Sequence, residues 1–174
     1  MQPKYLGDSF DIVKRFWAER LGSIAPLFAH PRFVPTAIKS AYEKMVAMPV
    51  LHPNEPRAEP FGLFLDPHTG IPLPTALSQK PTASHVPLSF IEAELDRLRP
   101  MYLICFDQSH VRGSGPSKAE QRESKRAALQ TRNVASFYYV SHAPFLFASK
   151  DAKVIELVRR RLVEGGIPEC RFEP

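Results

Sequence analysis

The chain has 174 residues, of which 44% are hydrophobic and 24% are charged. This length and balance predict one globular domain over 1–174 and exclude a wholly disordered, collagenous or coiled-coil protein. Twenty-three Lys and Arg against eighteen Asp and Glu give a net charge of +5 and a pI near 9.4, a mild bias toward polyanionic partners.

The first half of the chain predicts two helices and one strand joined by turns. Asp8 or Ser9 can cap a helix that carries apolar residues at three- and four-residue steps and ends at Gly22. Ser23–Ala29 reads as a short strand and Thr36–Met48 as a second helix. Eighteen prolines are about twice the usual ~5%, and four of them lie in 49–60, which predicts a surface connection.

Two short apolar runs predict buried parallel strands. Phe61–Leu65 and Met101–Phe106 each end at an aspartate, Asp66 or Asp107. Between them, Leu88–Leu98 has apolar residues at helical spacing. The three segments therefore predict a β-α-β unit.

The last third predicts a helix over Ser117–Gln130, strands over Ser136–Val140 and Phe145–Ala148, and a helix over Asp151–Val163. Only four residues separate the two strands, too few for a crossover helix, so they should form an antiparallel pair. The expected fold is an α/β, Rossmann-like three-layer sandwich with a mostly parallel sheet and a C-terminal antiparallel hairpin.

Cysteine content and hydropathy suggest a compartment. Cys105 and Cys170 are too few for a disulfide scaffold and form no C-x-x-C pair. No signal pattern opens the chain, and no apolar run approaches the ~18 residues of a membrane helix. We expect a soluble cytoplasmic protein without membrane contact, and the sequence leaves the oligomeric state open.

The carboxyl edge of the predicted sheet is the expected site, because ligands of doubly wound sheets bind there. Asp66 and Asp107 end strands at that edge, and His142 joins them if Ser136–Val140 runs parallel to the other strands. Two carboxylates and an imidazole would suit Mg²⁺ or Mn²⁺ or acid-base chemistry. The alternative is that both aspartates merely cap the turns that follow.

Further polar groups would hold a substrate. Thr69 and Ser109 follow the two aspartates, and Arg112 could bind a phosphate. The helix after them carries a row of basic residues that could contact the phosphates of a nucleic acid or nucleotide, although interleaved glutamates also fit an ordinary solvated face. The members of this row are Lys118, Arg122, Lys125 and Arg126.

Two motifs carry a resemblance. Gly7–Lys14 reads G-D-x-x-D-x-x-K and Leu65–Gly70 reads L-D-P-x-x-G, and together they resemble an uncharacterised group of bacterial Rossmann-like proteins. More distantly, they resemble the N-terminal element and the D-P-P-Y motif of large-subunit rRNA adenine-N6 methyltransferases. That resemblance implies that Asp11 and Lys14 lie near a cofactor or nucleic-acid site and Asp66 near a reacting base.

The sequence departs from the methyltransferase pattern at two places. His68 and Thr69 stand where the second proline and the base-stacking tyrosine would be, and 30–36 contains no glycine for a close approach of the backbone to S-adenosylmethionine. These departures argue against S-adenosylmethionine as a cofactor.

Three functions follow from these observations. The first is a metal-dependent phosphoester hydrolase that acts on nucleic acid or a nucleotide, in which Asp66 and Asp107 bind the cation and His142 is a base or third ligand. The second is a non-catalytic protein that binds a nucleotide or a protein partner. The third is a divergent methyltransferase-like protein.

Overall fold

The structure is a computed structural model that describes residues 6–52, 59–74, 80–111, 113 and 115–173. These residues form an α/β fold with five α-helices and one six-stranded mixed sheet. The helices are α1 (Ser9–Leu21), α2 (Lys39–Val46), α3 (Leu88–Leu98), α4 (Lys118–Gln130) and α5 (Ala152–Glu164). The strands are β1 (Leu27–Ala29), β2 (Gly62–Leu65), β3 (Tyr102–Phe106), β4 (Ala135–Tyr139), β5 (Phe145–Ser149) and β6 (Phe172–Glu173).

The strand order across the sheet is β1-β2-β3-β5-β4-β6. β1, β2 and β3 are parallel neighbours, whereas β5 pairs antiparallel with both β3 and β4, and β6 pairs antiparallel with β4. The expectation of a mostly parallel sheet is therefore wrong, because the hairpin inserts its return strand between β3 and β4. The hairpin itself is confirmed, and β4 runs in the same direction as β1, β2 and β3.

Helices cover both faces of the sheet. On one face, α1, α2 and α5 pack against Phe64, Ile104 and Phe147. On the other face, α3 and α4 pack against Leu63 and Cys105 and their neighbours. Alternate residues of each central strand belong to different clusters, which is the period-two pattern of a strand buried on both sides.

Local sequence explains where the helices begin. The Asp8 carboxylate accepts hydrogen bonds from the backbone N–H groups of Phe10 and Asp11, and so caps α1. Ser117 and Glu120 form a reciprocal capping box at the start of α4. The helix predicted over Thr36–Met48 opens instead with a 3-10 turn, and α2 begins only at Lys39.

One predicted segment lies partly outside the described residues, and one observed strand has no counterpart in the prediction. The proline-rich connection 49–60 has its central part, 53–58, outside the described residues. The strand β6 was not predicted, because two residues carry no periodic signal. In the described part of the chain, none of the helices has the length and apolar character needed to cross a lipid bilayer.

Candidate functional site

Asp66, at the end of β2, lies in a buried group of charges. The Lys14 ammonium donates a hydrogen bond of 2.8 Å to Asp66 Oδ2 and another of 2.9 Å to Asp11 Oδ1. Asp11 Oδ2 also accepts a 2.7 Å bond from the Gly7 backbone N–H. Lys14, which the motif resemblance singled out, is thus joined directly to Asp66, and Asp11, from the same motif, is joined to Asp66 through Lys14. All three side chains are at most 5% exposed.

The charges of this group determine its protonation. Burial by itself would lower the pKa of Lys14, but the nearby Asp66 and Asp11 carboxylates outweigh burial and raise the pKa above its ordinary value. Burial, followed by the same two carboxylates, raises the pKa of Tyr42 on α2. Lys14 is therefore an ammonium and Tyr42 a neutral phenol around neutral pH.

Asp107, which follows β3, is paired with a different lysine. The Lys125 ammonium on α4 donates a 2.7 Å bond to Asp107 Oδ2, which also accepts a 2.7 Å bond from the Tyr138 hydroxyl on β4. Oδ1 accepts bonds from the backbone N–H groups of Ile71 and Ser109. Burial, and then the Asp107 charge, raises the pKa of Tyr138, so this hydroxyl stays protonated and donates.

The two aspartates lie on opposite faces of the sheet. Leu65 pairs with Cys105 in the parallel β2–β3 pair, so residue 66 is level with Phe106. Asp66 and Asp107 are therefore offset by one residue along the strands. A shift of one residue along a strand turns a side chain to the other face. Lys14 from α1 therefore binds Asp66 on one face, and Lys125 from α4 binds Asp107 on the other. The sequence correctly placed both residues at one edge, but it did not indicate that they point in opposite directions.

The turn after β2 packs closely against the end of β3. The Gln108 N–H donates to the Thr69 carbonyl at 2.8 Å, and a short parallel bridge joins Gly70 to His85. Gly70 has φ +132°, and a Cβ at this position would lie 2.3 Å from Asp107 Oδ1 and 2.6 Å from Asp107 Cα. A side chain at Gly70 is thus excluded by both conformation and contact.

Two clefts open at this edge, one on each side of the turn. A cleft of about 400 Å³, here called the Asp66 cleft, contains Lys14, Asp66, Phe10 and Phe106. A cleft of about 630 Å³, here called the histidine cleft, is lined by Asp107, Ser109, Val140, Ser141, Pro144, the basic residues Lys118 and Arg122, and the histidines His68, His110 and His142. His68, Thr69 and Gln108 line both clefts and form the wall between them.

Gln108 connects the two loops that supply His110 and His142. Its side-chain amide donates a 2.8 Å bond to the backbone carbonyl of His142. Its own backbone carbonyl lies 2.9 Å from His110 Nδ1. A carbonyl only accepts, so Nδ1 carries the proton, and the neutral His110 ring keeps an unprotonated Nε2. The exposed His142 ring packs beside Phe10, with ring centroids 5.4 Å apart.

The predicted basic row of α4 does not form one surface. Lys125 is 1% exposed and bound to Asp107, so its predicted contact with nucleic acid is wrong: position 125 lies on the buried stripe with Gln121 and Leu129. Arg122 donates from Nε and Nη2 to the two carboxylate oxygens of Glu173 on β6, and Arg126 is paired with Glu123. Lys118 is exposed and lines the histidine cleft. The other predicted phosphate ligand, Arg112, lies outside the described residues.

The predicted metal pair takes a different form in the structure. Asp66 Oδ2 and Asp107 Oδ2 each accept a hydrogen bond from a lysine ammonium. Across the residues that the structure describes, no three His, Cys, Asp or Glu side chains are grouped so that they could hold a metal ion. Tyr138 was not predicted as a partner of Asp107, although its place at alternating spacing in an aromatic strand indicates a buried position.

Comparison of the chain with protein-family models, with curated proteins and with solved structures found no match. The chemistry of the two clefts is therefore the basis for a functional assignment.

Proposed function

We propose that the protein binds a nucleotide at the carboxyl edge of its sheet, with the phosphate in the histidine cleft. The observation that carries this proposal is the charge of the cleft lining. Its single carboxylate among the described residues, Asp107, is paired with Lys125, whereas Lys118 and three histidines line the same space. A lysine ammonium donates charge-assisted hydrogen bonds to phosphate oxygens, and these are stronger than hydrogen bonds between neutral groups.

The neighbouring Asp66 cleft supports a nucleotide rather than a simple phosphate. It combines the rings of Phe10 and Phe106 with the polar side chains of Thr69, Ser84 and Gln108. Small-molecule sites typically offer apolar and aromatic surface with a few polar groups that fix orientation. A planar base attached to a phosphate fits this pair of clefts. We also propose that the fold is related to Rossmann-like domains.

Calorimetric titration with ADP, inorganic phosphate and adenosine tests this assignment. We expect ADP to bind the wild type, and Lys118→Ala to weaken ADP binding about tenfold, or ~1.4 kcal/mol, because an ammonium that contacts phosphate is lost. Adenosine binding should be equal in the two proteins. Lys153→Ala is the matched control, because this exposed lysine begins α5 at the other edge of the sheet.

Two results would contradict the proposal: no binding of ADP or phosphate by the wild type, or equal ADP affinity of wild type and Lys118→Ala. The same proteins distinguish the other functions in a thermal-shift series. A rise in Tm with Mg²⁺ or Mn²⁺ that is lost in Asp107→Asn would favour a metal-dependent hydrolase. A rise with S-adenosylmethionine would favour a methyltransferase-like protein.

A further inference from the structure

The histidine cleft contains more than a phosphate-binding site requires. His110 and His142 come from different loops, and both residues line the same 630 Å³ cleft. A phosphate could be held by lysine and backbone groups alone. Two imidazoles beside it are the groups that most often exchange protons in enzymes.

We propose that His110 and His142 are an acid-base pair that hydrolyses a phosphate ester in the histidine cleft without a metal ion. This inference rests on the proposed binding of phosphate in that cleft. In the proposed step, Nε2 of neutral His110 takes a proton from water while the water oxygen forms a bond to phosphorus. The ester P–O bond breaks, and the leaving oxygen takes a proton from the His142 imidazolium. Proton exchange with solvent then restores both rings.

The orientation of His110 supports its role as the base. The Gln108 carbonyl accepts from Nδ1 at 2.9 Å, so the neutral ring has its lone pair on Nε2, the nitrogen away from the backbone. This is how a fixed acceptor selects one tautomer of a catalytic histidine. His142 is exposed at the tip of the β4–β5 turn, where solvent can supply its proton.

Gln108 is a positioning residue for both rings. Its carbonyl orients His110, and its side-chain amide binds the His142 backbone at 2.8 Å. The end of β3 also bonds to the same turn, since the Asp107 N–H donates to the Pro144 carbonyl. One residue thus fixes the separation of the two loops that carry the pair.

The surrounding charges are consistent with chemistry that uses no metal. Asp107 lines the cleft and Asp66 follows the neighbouring strand β2, and both carboxylates accept hydrogen bonds from a lysine. Lys118, at the mouth of the cleft, supplies positive charge for the phosphate. A cationic side chain can stabilise the charge of a phosphoryl transition state in the way that a metal does.

Hydrolysis of diphenyl phosphate in excess EDTA tests the proposal, because its phenolate leaving group is basic enough to take a proton from His142. ADP titration of every protein is the check of folding and binding. We expect wild type to turn over in EDTA and His110→Ala to lose about 10²-fold or more in kcat. Free imidazole should restore part of the His110→Ala rate, which a merely structural histidine would not allow. His85→Ala is the matched control, since His85 lines neither cleft.

Gln108→Leu keeps the backbone carbonyl and removes the amide that holds the His142 loop. We expect its kcat to fall about tenfold or more, because the loop that carries the acid is no longer held. Wild type that binds ADP but hydrolyses nothing in EDTA, or only after addition of Mg²⁺ or Mn²⁺, overturns the inference and leaves the proposed binding intact. Failure of ADP and phosphate to bind contradicts the proposed function itself.

Discussion

Lys14 and Lys125 have the same structural role on opposite faces of the sheet. Each comes from a covering helix and binds a strand-end aspartate at 2.7–2.8 Å in a buried position. Removing one partner of a buried ion pair leaves an uncompensated charge, which costs far more than the pair contributes. These residues therefore hold the helices to the edge where the clefts open.

We expect Lys125→Met to lower the free energy of unfolding by about 3–5 kcal/mol, because Asp107 keeps its charge and loses its cation. The double variant Lys125→Met, Asp107→Asn should recover part of this loss, since the remaining amide is neutral and can still accept from Ile71. Urea unfolding of the two single variants and the double variant measures the coupling.

The exposed Lys118→Met is the control and should change stability by no more than about 0.5 kcal/mol. A Lys125→Met protein as stable as wild type would show that the Asp107 carboxylate is not held by this lysine.

At the scale of elements, the turn 66–70 is the piece that shapes both clefts. It forms part of the wall between them and contacts the end of β3 through Gly70. Since a Cβ at Gly70 would overlap backbone and carboxylate atoms of Asp107, any side chain there has to displace the turn.

We expect Gly70→Ala to cost at least about 2 kcal/mol of stability, from the positive φ together with the overlap, and to weaken ADP binding. Gly166→Ala separates the two effects, because Gly166 also has a positive φ, +96°, but no atom lies within 4 Å of a Cβ built there. Thermal unfolding and calorimetry of both variants measure the difference. Equal losses in the two variants would mean that conformation alone, and not the contact with Asp107, constrains Gly70.

Most elements could be predicted from the sequence because their patterns are local. Continuous apolar runs indicated β2 and β3, and helical spacing indicated α1, together with its cap, and α3. The position of β5 beside β3 could not be predicted, since a hairpin pattern specifies the pairing of its own two strands and says nothing about which of them joins the rest of the sheet.

The site was predictable to the same extent. That Asp66 and Asp107 lie at one edge follows from the direction of β2 and β3, which the sequence indicates. His142 joins them because β4 runs parallel to these strands, a condition that the sequence left open. That Asp66 and Asp107 face apart depends on the register Leu65↔Cys105, and register between distant segments is set by tertiary packing. The same packing determines which lysine binds each aspartate. The spacing of the basic residues on α4 therefore could not show which of them are buried and which are exposed.

At the scale of the molecule, one sheet is shared by two hydrophobic clusters. The single tryptophan, Trp17, belongs to the cluster under α1 and packs edge-on against Phe145 and Phe147. Leu103 lies in the cluster on the other face. Because both clusters use the same strands, neither face can lose its packing without disturbing the backbone of the other.

We expect Leu103→Ala to cost about 2–5 kcal/mol and to lower the urea midpoint of Trp17 fluorescence and of far-UV circular dichroism equally. Coincident transitions indicate a single cooperative unit. If Trp17 fluorescence kept its wild-type midpoint while the dichroism shifted, the two faces would unfold separately and the domain would not be one unit.

The wall of His68, Thr69 and Gln108 has a consequence for the shape of any occupant. A rigid, flat molecule can fill the space on one side of this ridge but cannot continue across it. A ligand that reaches both sides needs a flexible joint at its middle, such as a sugar between two dissimilar ends. Compounds in which that joint is locked straight should therefore be excluded, however well each half fits.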